Sequence, residues 1–158
     1  MFNNNGIVFN EVRVIDDSVT KEQALQYVSE ADVKWLAGGD AFKQISYIKE
    51  YDLISALQNR DGLTIGMSAG SINMAKRVVL AKDRNDYNPE LAIYEGIGLV
   101  DINVEPHLDS ASEEHIKHIY EASQYATIYG LYDNSFIKVV DDKIEFYGAY
   151  FKYENIVK

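Results

Sequence analysis

The stretch "TIGMSAGSINMA", residues 64–75, sets Ser68 between Gly66 and Gly70 in the pattern G-x-S-x-G. An apolar run precedes it and a helix-like run follows, so the serine falls on a strand-to-helix turn. Such a turn pushes a hydroxyl out at the edge of a sheet. Glycines on either side remove Cβ atoms that would crowd it. The same glycines also suit a tight packing turn with no chemistry, so a partner decides the reading. A serine hydroxyl needs a base to act as a nucleophile near neutral pH.

The chain has three histidines. His107 follows Pro106 at the end of "LVDINVEPH", where a rigid turn can aim its ring. His115 and His118 lie three apart in "EEHIKHIY". With no third ligand at a telling spacing, that pair reads as a solvated helix face rather than a metal site. A further group should hold the imidazole in one tautomer and stabilise its cation. Asp83 in "VVLAKDRND" fits the order Ser…Asp…His of serine hydrolases on α/β folds. Asp86, Glu95 and Glu105 are rivals that the residues themselves do not rank. The N–H of Ala69, just after the serine, could donate to a developing oxyanion, and Gly39 or Asp40 in "AGGDAF" could supply a second donor. There is no G-x-G-x-x-G and no P-loop lysine, which argues against a nucleotide cradle.

These residues need elements to hold them. "GIVFNEVRVIDDS" reads as an early strand, Ile7 to Ile15. Thr20 caps a following helix, with Gln23 completing a capping box. Val33 to Ala37 is a short strand entering the Gly38-Gly39 turn. Phe42, Ile45, Ile48, Ile54 and Leu57 mark one amphipathic helix or two short ones, stopped near Asp61-Gly62. "LTIGM" is a buried-type strand, and residues 78–98 are loop and short strands. Ser112 caps a helix with acids in its first turn. "ATIYGLYD" is another strand. The C-terminal alternation broken at Asp141-Asp142 is a hairpin with a further edge strand. Alternating strands and helices predict an α/β fold: a mostly parallel sheet with helices on both faces, and a C-terminal antiparallel hairpin. In such folds ligands bind at the carboxyl ends of strands, where Gly38-Gly39, Ser68 and His107 all fall.

Composition bounds the function. A chain of 158 residues, 47% hydrophobic, is long enough for one core, and it reads as a single domain. A net charge of −10 works against nucleic-acid and anionic-membrane partners. The absence of cysteine excludes disulfides, a thiolate zinc site and a cysteine nucleophile, and fits a cytoplasmic location. No apolar run reaches the length of a membrane span.

Together, "LAGGDAFKQ", "IGMSAGSINMA", the aspartate of "LAKD" and "LVDINVEPH" occur in an order that resembles the dipeptidase E / cyanophycinase family of serine peptidases. That family is similar to the class I glutamine amidotransferases, with serine in place of cysteine at the elbow. The resemblance runs from about Ile7 through the C-terminal strands. It implies Ser68 as nucleophile, His107 as general base, Asp83 as orienting acid, and Gly39 and Ala69 as oxyanion donors. It implies no metal or organic cofactor. Relative to the family, the expectation is an N-terminally shortened chain whose open sheet edge and apolar surface a homodimer covers, or else a start placed too late. Dipeptidase E members recognise an N-terminal aspartate with basic groups. Here "LDSASEEHIKHIY" offers acids instead, which argues against an acidic substrate residue. The expectation is therefore a hydrolase that cleaves a small peptide or isopeptide amide through an acyl-enzyme. The alternative is a catalytically silent homologue serving as a ligand-binding or assembly module. The distance from His107 Nε2 to Ser68 Oγ separates the two.

Overall fold

The computed structural model describes residues 3–59, 61–82 and 88–155. Thr20 starts the first helix, α1 (Lys21–Glu30), with the expected reciprocal box: its hydroxyl accepts from Gln23 N–H, and the Gln23 side chain accepts from Thr20 N–H. Strand β1 (Val33–Leu36) leads into a loop closed by Asp40, which caps α2 (Ala41–Glu50) by accepting from the N–H groups of Phe42 and Lys43. Ala41, Ile45 and Ile48, at i, i+4 and i+7, form the buried face of α2. The chain turns at Asp52 (φ 57°) into a separate short helix, α3 (Ile54–Gln58), so the long apolar pattern is two helices.

Strand β2 (Leu63–Gly66) returns parallel to β1, pairing Val33 with Leu63 through Leu36 with Gly66. This is a right place for a crossover, since parallel neighbours need a long connection, here α2 and α3. Helix α4 (Ala69–Asn73) follows at once. Strands β3 (Arg77–Leu80) and β4 (Ala92–Glu95) pair antiparallel. A second parallel crossover joins β5 (Asn103–Glu105) to β6 (Ile128–Leu131) through α5 (Glu113–Ala122), capped by Ser112. Strands β7 (Phe136–Val140) and β8 (Lys143–Tyr147) form the hairpin, with Asp141 and Asp142 both at positive φ as a tight primed turn requires. Strand β9 (Tyr150–Tyr153) adds antiparallel to β6.

One expectation is corrected. Residues 7–15 form no strand: the segment is irregular, with Val8, Val12 and Val14 each about 70% exposed or more. Its alternation meets no neighbouring strand to complete a ladder among the described residues. The fold is mixed α/β. Among the described residues, the β1–β2 and β5–β6 pairs are parallel, while β3–β4, β6–β9 and β7–β8 are antiparallel, spread over several small sheets. Pairs joined through helices run parallel; strands joined by a tight turn such as Asp141-Asp142 fold back antiparallel.

Two apolar clusters carry the two crossovers. Ala24, Val28, Leu36, Ile45, Ile48, Leu57 and Ile97 lock α1, α2 and α3 around β1. Val79, Leu108, Ile119, Ala122, Ile128 and Tyr153 lock α5 against β6 and β9. No described helix is long and apolar enough to cross a membrane.

Candidate active site

Ser68 stands two residues beyond the end of β2, at φ 49° and ψ −115°. For a residue with a Cβ this is a strained backbone, and such outliers collect at functional sites. The neighbouring glycines make the turn possible. A Cβ on Gly70 would lie 2.0 Å from the carbonyl oxygen of Leu36, so α4 leaves the turn pressed directly against β1. Met67 N–H donates to that same carbonyl, and Ser71 and Ile72 N–H donate back to Ser68 O. The serine is thus held between the sheet and the first turn of α4.

His107 stands two residues beyond the end of β5 and is itself at positive φ, 58°. Its Nε2 lies 3.1 Å from Ser68 Oγ. Its Nδ1 lies 2.5 Å from Oδ1 of Asp133. An ionised carboxylate can only accept, so the Nδ1 carries the proton and donates to Asp133. That leaves the Nε2 lone pair facing the serine hydroxyl, the orientation a general base needs. Asp133 stands two residues beyond the end of β6, the parallel neighbour of β5. His107 and Asp133 are 64% and 79% exposed, so their hydrogen bond is well hydrated and serves orientation more than stability.

Asp133 was not among the residues singled out from the sequence. A signal for it exists: Ser68, His107 and Asp133 each follow the last residue of a strand by two positions. Asp83 and its rival Asp86 lie outside the described residues. Of the other rivals, Glu105 meets His115 Nε2 at 3.1 Å, and Glu95 belongs to β4.

The expected solvated histidine face is corrected. His115 and His118 are 4% and 8% exposed, and α5 turns them inward. His115 Nδ1 accepts from Asp109 N–H, so its Nε2 donates to Glu105. For His115 the pairing with Glu105 and Asp109 offsets the cost of burial, whereas His118 Nδ1 is buried without a hydrogen-bond partner among the described residues. Among the described residues no group of three or more His, Asp or Glu could hold a metal ion.

The remaining sequence candidates fall beside the serine. Gly39, Asp40, Ser68, Ala69, His107 and His115 line one cleft. Ala69 is the first residue of α4, where a backbone N–H has no partner within the helix. Gly39 sits at φ 129°, a conformation that favours glycine. The loop it belongs to abuts the serine: a Cβ on Gly38 would lie 3.4 Å from Ser68 Cβ.

The sequence model of Peptidase family S51 matches residues 1–147. The chain belongs to peptidase family S51, the family of dipeptidase E. As a member of this peptidase family it is a peptidase-type hydrolase. The structure is similar to a crystal structure from Listeria monocytogenes EGD-e of a protein provisionally named peptidase E. The two share a TM-score of 0.69 at 17% identity, over 92% of this chain and 72% of the other. No curated protein sequence matches the chain.

Proposed function

We propose that this S51 chain is a serine peptidase that cleaves a small peptide or isopeptide amide through an acyl-enzyme on Ser68, His107 and an aspartate. The observation that carries the reading is the pair of contacts on His107: Nε2 to Ser68 Oγ at 3.1 Å and Nδ1 to Asp133 at 2.5 Å. Ser68 Oγ attacks the carbonyl carbon while His107 Nε2 takes the hydroxyl proton. Asp133 stabilises the resulting imidazolium. The N–H groups of Ala69 and Gly39 receive the tetrahedral oxyanion, a contribution of roughly 2.7–4 kcal/mol per donor in enzymes where one has been removed. His107 returns the proton to the leaving amine, and water completes the cycle by the same route. The same 3.1 Å contact gives the silent-homologue alternative no support.

Asp133 is our candidate for the orienting acid on geometry; Asp83 is the candidate that the family resemblance implies. The cleft lining includes Asp40 and Glu105, and no Lys or Arg among the described residues, which supports a substrate without an acidic residue at the cleaved bond. A homodimer is part of the proposal. The apolar surface along residues 7–15, with Leu63 exposed on β2, supports a covering partner.

The test is labelling with a fluorophosphonate, read by intact mass. One adduct on the wild type that disappears in Ser68→Ala and falls sharply in His107→Ala supports the reading. Equal labelling of wild type and Ser68→Ala overturns it.

A further inference from the structure

We propose that Asn73 and Gln44 form a clamp that holds the glycine loop, residues 37–40, at a set position against the Ser68 turn. Both are then positioning residues for the acyl transfer, an inference that rests on the hydrolase reading above.

Asn73 is the last residue of α4, five positions after Ser68, and is fully buried. Its side chain uses both amide donors and accepts at its oxygen. Nδ2 donates to Ala41 O at 2.8 Å and to Gln44 Oε1 at 3.0 Å. Oδ1 accepts from the Tyr94 hydroxyl at 2.9 Å. Gln44 carries the connection onward, its Nε2 donating to Ala37 O at 2.6 Å. Ala37 and Ala41 bracket Gly38, Gly39 and Asp40. One buried amide and its neighbour thus tie the nucleophile's own helix to both ends of the loop that holds the Gly39 donor.

The polarity of the chain is determined at every link. Flipping the Asn73 amide would set its Oδ1 against two oxygens, and flipping Gln44 would set oxygen against Ala37 O. Tyr94 secures the far end. Burial, with the Asp40 charge adding to it, pushes the Tyr94 pKa well up, so the hydroxyl stays protonated and donates. Its ring packs on Phe42, the second residue of α2, with centroids 5.3 Å apart. A loop with two consecutive glycines has wide conformational freedom, which such ties remove before substrate arrives.

The experiment compares wild type with Gln44→Leu, Gln44→Glu and the milder Tyr94→Phe. Gln44→Glu keeps an acceptor for Asn73 but places an oxygen against Ala37 O. The readouts are the rate and final extent of fluorophosphonate labelling across pH, and the backbone amide NMR signals of Gly38 and Gly39. Both Gln44 variants should label roughly 10–100-fold more slowly, the cost of a small misplacement, and still reach full labelling. The midpoint of the acid limb should stay where it is in wild type, because the His107–Ser68 pair is untouched. The two glycine signals should shift or broaden, and Tyr94→Phe should change both readouts in the same direction by less. A wild-type labelling rate in the folded fraction of either Gln44 variant overturns the proposal, as does a loss that only tracks unfolding. If the wild type itself fails to label at Ser68, the hydrolase reading fails. The clamp is then judged on the glycine signals, and unchanged signals in Gln44→Leu overturn it separately.

Discussion

At the scale of the residue, the site depends on which carboxylate faces His107. Asp133 contacts Nδ1 directly, whereas Asp83 is favoured by its place in the sequence order. Replacing a buried triad aspartate by asparagine costs about 10⁴-fold in kcat, because the histidine takes the wrong tautomer. Asp133 is 79% exposed, and water can partly replace it. Asp133→Asn is therefore expected to slow acylation by roughly 10²-fold, with Asp83→Asn much closer to wild type. Fluorophosphonate labelling rates measure this, and the reverse ranking would return the role to Asp83. Ser68 and His107, whose side chains meet, are both at positive φ. The turns that aim them accept a backbone cost that a simple packing turn avoids.

At the scale of the element, Ser68, His107 and Asp133 each stand just beyond the end of a strand in a parallel pair, and the helices behind them supply the fit. Gly70 is where the elbow helix meets β1. In Gly70→Ala the new Cβ would fall 2.0 Å from Leu36 O, a backbone atom that cannot swing away. Overpacking of this kind costs about 3 kcal/mol, or roughly 10 °C in Tm for a chain of this size. Thermal unfolding followed by circular dichroism checks it, and an unchanged Tm would mean the helix can shift freely. The irregular N-terminal segment is held differently. Arg13 pairs with Glu11 and Glu30 and lies over the Tyr27 ring on α1. Hydrogen bonds to Arg13 hold Glu11 below the ordinary carboxylate value, and bonds to Gln26 and Arg13 do the same for Glu30. Groups with lowered folded pKa values stabilise above their unfolded range and lose that effect as pH falls through the folded values. Proteolysis of residues 7–15 should thus speed up as pH falls through the lowered Glu11 and Glu30 values, before the core unfolds. Cleavage mapped by mass spectrometry against pH tests this.

At the scale of the whole molecule, exposed apolar residues occur along much of the chain, and one run of them falls near the N-terminus. Ile7, Val8, Val12, Val14 and Ile15 lie along one segment, and a monomer in water gains nothing by leaving them bare. Light scattering is expected to give twice the chain mass at micromolar concentration. Val12→Asp with Val14→Asp should shift it to the monomer without a loss of labelling at Ser68. A wild type that stays monomeric refutes the covered-surface argument. The net charge of −10 opposes close self-association, so the dimer should strengthen as salt screens that repulsion.

Much of this was legible in the sequence for local reasons. The capping box at Thr20, the elbow at Ser68, the cap at Ser112 and the break at Asp141-Asp142 depend on residues within a few positions of one another. The apolar spacing of residues 42–57 marked helix, and the turn at Asp52 decided that it was two. The G-x-S-x-G turn and the Pro-His pair carried the candidate nucleophile and its candidate base in the same way. Three things were settled only by the fold. Whether residues 7–15 become a strand depends on a neighbour to pair with. Whether His115 and His118 face water depends on what α5 packs against. Which carboxylate reaches His107 depends on β6 lying beside β5 in parallel, so that equal steps beyond their ends bring Asp133 to the imidazole. Local patterns specify backbone conformation because their interactions span one turn. The partner of a side chain 26 residues away is set by strand register, which no local pattern contains.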